Sequence, residues 1–237
     1  MRKKLVAGNW KMNLPAHFKV RVNDNIDVVL FVPFTHITEC LSDYPVILGA
    51  QNLYPGFNGA FTGEVSAGMI RNAGAEYVLV GHSERRSIFG EANELINKKV
   101  KSAIDGSLRP LLCVGETLEE REKGITMNVI SEQIKIGLNE VDDIDIEKVI
   151  IAYEPVWAIG TGKTATSAQA EEICKAIREL ISEMYSSEVA DDIRILYGGS
   201  VNGKNAKEIF SMPNIDGGLV GGASLNNEFN EVIKGAV

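Results

Sequence analysis

The chain has 237 residues, 45% of them hydrophobic and 24% charged, ordinary globular values that allow a substantial core. Its net charge is −8, from 24 basic and 32 acidic residues with no basic block. That excludes a general nucleic-acid surface, and it means that an anionic ligand needs a locally positive site. The three cysteines, Cys40, Cys113 and Cys174, are widely spaced without a CxxC pair, which reads as reduced intracellular thiols.

The start, MRKKLVAGNWK, has too short an apolar run for a signal peptide. The longest apolar run, Val28 to Phe34, is far too short to cross a membrane. The chain therefore reads as a cytoplasmic protein with neither a membrane nor a nucleic-acid partner. His17, His36 and His82 lack metal-ligand spacing, so neither a metal nor another cofactor is expected.

In chain order, eight short β-branched runs alternate with helical patterns. The strand candidates are Lys4–Trp10, Asp27–Val32, Val46–Ala50, Tyr77–Val80, Pro110–Val114, Val149–Tyr153, Ile193–Tyr197 and Ile215–Val220. Between them, Ala92–Ile104, Met127–Leu138 and Ala168–Met184 place apolar residues at helical spacing. A helix start is expected near Ser167, a good N-cap. Strand–helix alternation implies parallel strands, and eight such units without a linker predict an α/β fold, a closed (β/α)8 barrel formed by residues 1–237 as one domain.

One crossover departs from the pattern. Only thirteen residues, Leu14 to Ile26, separate GNWKMN from the second strand, close to the minimum for joining parallel strands. Leu14, Phe18 and Val22 fall at i, i+4 and i+8, and Pro15 suits a first helical position, so a shortened first helix of about two turns fits. The alternative is an irregular segment that leaves barrel surface uncovered. Either way the expectation is lower stability and a looser Lys11.

In such a barrel the active site lies on the loops that follow the strands. Those loops supply Asn9 and Lys11 after the first strand, His82 and Glu84 after the fourth, and Glu154 at the end of the sixth. Gly-Gly turns follow the seventh (Tyr197 to Val201) and eighth (Leu219 to Leu225), where barrels commonly cradle a phosphate on backbone N–H groups. After Glu154 comes Pro155, then the small-residue stretch Ala158 to Gly162, which reads as a movable loop. Each residue also has a plain reading: a solvated strand-end carboxylate for Glu154, a structural imidazole for His82, a surface amine for Lys11, a turn amide for Asn9, and ordinary turns for the glycines.

GNWKMN, GAFTGEVSAGM, VGHSERR, CVGET, AYEPVWAIGTGK, YGGSV and LVGGASL, in this order, resemble the triosephosphate isomerase family from Lys4 to the last helix. The resemblance implies an aldose–ketose isomerase interconverting dihydroxyacetone phosphate and glyceraldehyde 3-phosphate through an enediol(ate), in glycolysis and gluconeogenesis. It implies Glu154 as base, its pKa raised by desolvation under a closed lid, and His82 as a neutral electrophile at a helix start. Lys11 would supply positive charge, held by Glu84, and Asn9 would orient substrate oxygens. Phosphate would rest on the backbone N–H groups of Gly160, Ser200, Gly221 and Gly222. The lid would hinge at Pro155-Val156-Trp157 and Lys163-Thr164-Ala165, with Tyr197 and Ser200 as its latch.

The loop Gln51–Gly68 would enter a second copy, forming a homodimer. Thr62 would reach the other active site and Glu64 would pair with Arg85 across the interface. Exposed Tyr54, Phe57 and Phe61 would otherwise make an apolar projection. The alternatives are a catalytically impaired phosphate-binding barrel or another sugar-phosphate isomerase. A dinucleotide site fails because Glu154 to Ile159 separates the strand from Gly160-Thr161-Gly162, and a P-loop fails because Trp157 stands where its first glycine belongs.

Overall fold

The computed structural model describes residues 2–15, 17–159 and 164–237. Eight parallel strands close into a barrel in sequence order: β1 (Lys4–Asn9), β2 (Ile26–Val32), β3 (Ile47–Ala50), β4 (Tyr77–Val80), β5 (Arg109–Val114), β6 (Ile150–Tyr153), β7 (Arg194–Tyr197) and β8 (Gly217–Val220). Closure is made by β1 against β8, with Leu5 opposite Gly217 and Gly8 opposite Val220.

These strands are apolar on both faces because both are covered. Leu5, Ala7, Val29, Phe31, Leu79, Leu111, Ile150, Ala152, Leu196 and Leu219 pack one buried cluster. Their neighbours Val6, Val28, Leu30, Leu112, Ile151 and Ile195 belong to a second, larger cluster with helix residues such as Ile96, Val100, Ile130, Ile134 and Ile177. Period-two alternation along each strand thus separates barrel interior from the helical layer.

The outer layer is α1 (Ile37–Asp43), α2 (Ala67–Asn72), α3 (Ser83–Ser87), α4 (Asn93–Asp105), α5 (Leu118–Glu122), α6 (Thr126–Gly137), α7 (Ser167–Met184), α8 (Ser187–Asp192), α9 (Ala206–Phe210) and α10 (Glu228–Lys234). Among the described residues no helix is long and apolar enough to cross a membrane. Ser167 is the first residue of α7 rather than its cap. Thr166 caps instead, its hydroxyl accepting the Gln169 N–H at 3.2 Å while the Gln169 side chain accepts the Thr166 N–H at 3.0 Å. Two reciprocal bonds outweigh the single bond Ser167 could offer.

Between β1 and β2 the described residues form no helix, so the irregular alternative is the one adopted. Length explains it. The chain must return along a strand of about 20 Å. Thirteen residues coiled as a helix reach about 20 Å and leave none for the two turns, whereas extended chain reaches about 40 Å. The barrel wall is nevertheless covered: Val6, Val28 and Leu30 are buried in the cluster that also holds Val20, with Phe18 packed against it. Met12, Leu14 and Val22 are left outside, 96%, 78% and 49% exposed.

Candidate functional site

The carboxyl ends of β1, β4, β6, β7 and β8 surround a cavity of about 430 Å³. Asn9, Lys11, His82, Glu154, Ser200, Gly221 and Gly222 all line it. Seven of the residues singled out from the sequence are therefore brought together. Gly160 lies outside the described residues, as do Thr161, Gly162 and the hinge residue Lys163.

Glu154 follows β6 directly, its N–H donating to the Val114 carbonyl at 2.7 Å, so sheet pairing fixes where the carboxylate emerges. Two glycines make room for it. A Cβ on Gly115 would lie 1.8 Å from the Glu154 carbonyl oxygen, and one on Gly198 would lie 2.7 Å from its Cγ. The carboxylate is buried, accepting the Ser83 N–H at 3.0 Å while its other oxygen sits 3.1 Å from His82 Nε2.

His82 is the N-cap of α3. Its Nδ1 accepts the Glu84 N–H at 3.2 Å, so the ring proton is placed on Nε2, facing Glu154. Burial opposes charge on His82, but the Glu154 carboxylate outweighs it and raises the imidazole above its ordinary value. Burial likewise pushes Glu154 up, yet His82, the Ser83 amide and Lys11 together hold its carboxyl below the usual carboxylate range. The expected raised pKa of the base is therefore reversed in this arrangement, because the carboxylate is docked on two donors.

Lys11 adopts a left-handed backbone with φ 52°, a strained position for a residue with a side chain. Neighbours hold it there: Asn9 Oδ1 accepts the Lys11 N–H at 2.9 Å, and Gln51 Nε2 donates to its carbonyl at 2.9 Å. The ammonium lies 2.6 Å from Glu84, as expected for that pair.

Tyr197 is fully buried beside the Gly198-Gly199 turn, and its hydroxyl has the Ala165 backbone beside it but no partner at full hydrogen-bond geometry among the described residues. Burial pushes the phenol up to about 12, with the Ala165 backbone acting against it. Thr62 is exposed on the loop after β3, away from this cavity. Tyr54 is half-buried rather than exposed, its ring 4.5 Å from that of Phe61. Arg85 pairs with Glu91 within the chain.

Three contributors escaped sequence reasoning. Glu116, fully buried, accepts from Trp157 Nε1 at 2.9 Å, Tyr153 Oη at 3.2 Å and Arg121 at 3.2 Å, anchoring the 3₁₀ turn Val156–Ala158 that follows Glu154. A carboxylate directly after the buried fifth strand was the available signal. Gly115 and Gln51 carried none, since a close approach and a carbonyl clamp are tertiary facts.

A carboxylate, an imidazole and an ammonium on one barrel rim, beside glycine-rich turns, define an enzyme that moves protons on a small anionic substrate. The family model described as Triosephosphate isomerase matches residues 4–236. Similar proteins named triosephosphate isomerase include those of Chloroherpeton thalassium, 49% identical over 251 residues, and Chlorobium phaeobacteroides, 51% identical over 251 residues, both covering each chain completely. That of Acetivibrio thermocellus is 49% identical over 246 residues, covering 98% of each. The chain belongs to the triosephosphate isomerase family.

Proposed function

We propose that Glu154, His82, Lys11 and Asn9 perform the family's reaction and that Ser200, Gly221, Gly222 and Gly160 hold the substrate phosphate. The chain is an isomerase, an intramolecular oxidoreductase, interconverting dihydroxyacetone phosphate and D-glyceraldehyde 3-phosphate in glycolysis. The observation that carries the residue assignment is the convergence of Glu154, His82 and Lys11 on one cavity with the Ser200, Gly221 and Gly222 turns.

The reaction moves a proton between adjacent carbons. Substrate enters between Glu154 and His82 and takes the imidazole Nε2–H onto its carbonyl oxygen. Glu154 leaves His82 and the Ser83 amide, and burial then raises its pKa to suit a base. It takes a proton from one carbon, and the pair of electrons moves onto the carbonyl oxygen as an enediolate. Lys11 and the Nε2–H stabilise that charge, and Asn9 orients the oxygens. His82 then gives its Nε2 proton to that oxygen and takes the proton of the neighbouring hydroxyl, so the negative charge moves to the second oxygen, and Glu154 returns its proton to the carbon that bore the carbonyl as the new carbonyl forms. Tyr197, whose buried hydroxyl lies next to the Ala165 backbone, and Ser200 latch the lid, and its closure excludes water. A coupled isomerase assay on wild type and Glu154→Gln tests this, and equal turnover in the two would overturn it.

The finer reading includes a homodimer through the loop 51–68. Phe57 is 85% exposed, and a second cavity of about 380 Å³, lined by Met12, Phe34, Arg85 and Phe89, offers an apolar seat beside Lys11. Thr62 of a second copy would reach that seat. Sedimentation of wild type and Phe57→Asp checks this, with a dimer-to-monomer change expected. We also assign the protein to the cytoplasm, where three buried thiols stay reduced, and residues 1–237 to one domain that unfolds in a single calorimetric transition.

A further inference from the structure

The first crossover is where this chain replaces a helix with an extended strap, and two sets of contacts dock it. On one side, Asn230 of α10 turns its side-chain amide onto the strap. Its Oδ1 accepts the Arg21 N–H at 2.7 Å and its Nδ2 donates to the Lys19 carbonyl at 3.0 Å. One amide thus satisfies both backbone groups that a neighbouring strand would otherwise pair. On the other side the Phe18 ring meets Tyr44 edge-on at 6.2 Å, and Tyr44 meets Trp10 edge-on at 5.4 Å. The Trp10 indole N–H then donates to the Ser224 carbonyl at 3.0 Å.

Both routes end on one stretch of chain. Ser224 lies in the 3₁₀ turn Gly222–Leu225, and Asn230 lies just beyond it in α10. The catalytic cavity runs between these two sides, with Trp10 and Asn13 on the strap side and Gly221, Gly222 and Leu225 opposite. The strap itself does not line the cavity; it backs, through Phe18 and Tyr44, the Trp10 that lines with Asn13 the end carrying the Gly-Gly turn.

We propose that Asn230 is a positioning residue for anion binding. By docking residues 17–22 on α10 it fixes the spacing of Trp10 and Asn13 from Gly221 and Gly222, and so sets the affinity for the substrate phosphate. The proposal rests on the reading that those amides hold phosphate. If the docked strap binds phosphate better than the undocked one, phosphate stabilises docking by the same factor. A strap that only covers the wall has no such coupling.

Lys19 and Arg21 are exposed, so trypsin can report docking in the full chain. Cleavage after either residue requires extended chain to leave Asn230 and enter the protease. Tryptic rates are measured for wild type, Asn230→Ala and Asn230→Gln, with and without inorganic phosphate, alongside KM, kcat and inhibition by inorganic phosphate. Asn230→Ala is expected to be cut faster, with KM and the phosphate inhibition constant raised roughly threefold to tenfold, as for one or two lost hydrogen bonds, and kcat within about twofold. Asn230→Gln, which keeps donor and acceptor, recovers part of the loss. Phosphate slows cleavage of wild type after Lys19 and Arg21 more than at exposed lysines and arginines elsewhere in the chain, a result that decides the matter even if Asn230→Ala fails to fold. Unchanged KM and inhibition constant in a faster-cut Asn230→Ala, or cleavage of wild type indifferent to saturating phosphate, would overturn the proposal. Absence of any phosphate competition in wild type would instead sink the phosphate-site reading, and this proposal with it.

Discussion

Glu154 and His82 face each other across the barrel mouth with Oε1 3.1 Å from Nε2, both nearly excluded from solvent. Each inverts what burial alone would do to the other. Burial favours neutral forms of both groups, but the carboxylate raises His82 and the imidazole helps to lower Glu154. The pair titrates as a unit, and in the proposed reaction substrate separates it.

Removing the charge on Glu154 therefore lowers the His82 pKa. In Glu154→Gln burial remains and its counterweight is gone. The His82 Cε1 proton shift, followed against pH by NMR, should titrate at lower pH than in wild type; an equal or higher midpoint would contradict the assignment. The same variant should lose turnover by roughly 10²–10⁴-fold, the range for a missing general base.

The linkage signs follow from the two directions. Glu154, depressed in the folded state, stabilises the fold above its unfolded value of about 4.3, and that stability is lost as pH falls through the folded value. His82, raised, stabilises below about 6.5, and that stability is lost as pH rises through its folded value. Their joint contribution is therefore greatest between those values. Urea midpoints across pH 3 to 9 should show wild type gaining over Glu154→Gln chiefly in that window. A difference independent of pH would show that the pair contributes nothing through its charges.

Lys11→Met keeps the side-chain stem and removes the cation. Since the charge at Lys11 faces the cavity and the backbone is held by Asn9 and Gln51, the fold should persist. kcat/KM should fall roughly 10²–10³-fold, as when one preorganised electrostatic partner of an oxyanion is removed. Glu84→Gln, which leaves the ammonium in place and breaks a half-exposed pair, should cost much less. Steady-state kinetics that rank the two variants the other way would refute the role given to Lys11.

The strands and long helices were legible because period-two and period-3.6 patterns are local, and strand ends then placed Asn9, Lys11, His82 and Glu154 on one rim. The first crossover was not. Leu14, Phe18 and Val22 carry helical spacing, but a distance the chain must span overrides it, and Phe18 and Val20 rather than Leu14 and Val22 turn inward. The state of the base was equally hidden. Its donors, the Ser83 amide and His82 Nε2, come from a strand two positions away in the barrel, so the sequence alone suggested desolvation without its counterweights.

Gly222 offers a test of the phosphate seat that spares the fold. It is exposed, its φ is not in the left-handed region, and a Cβ there meets nothing within 4 Å. Gly222→Ala should melt within a degree or two of wild type, as surface changes usually do. The added methyl would nevertheless stand beside the proposed anion position, so KM should rise. A wild-type KM would remove Gly222 from the seat.

Gly115→Ala should behave in the opposite way. Its Cβ would lie 1.8 Å from the Glu154 carbonyl oxygen and 2.6 Å from the carbonyl carbon, and both are backbone atoms of the strand end that presents the base. No rotamer relieves that contact, so β5 and β6 have to part where the Glu154 N–H meets the Val114 carbonyl at 2.7 Å. Overpacking of this kind costs roughly 1–3 kcal/mol or more. A displacement of about 1 Å at the base can also cost 10²-fold in rate. Thermal melting and turnover are both expected to drop, and the soluble fraction that remains folded should still bind less product-like anion than Gly115 protein. Wild-type turnover in Gly115→Ala would mean that the end of β6 does not set the position of the base.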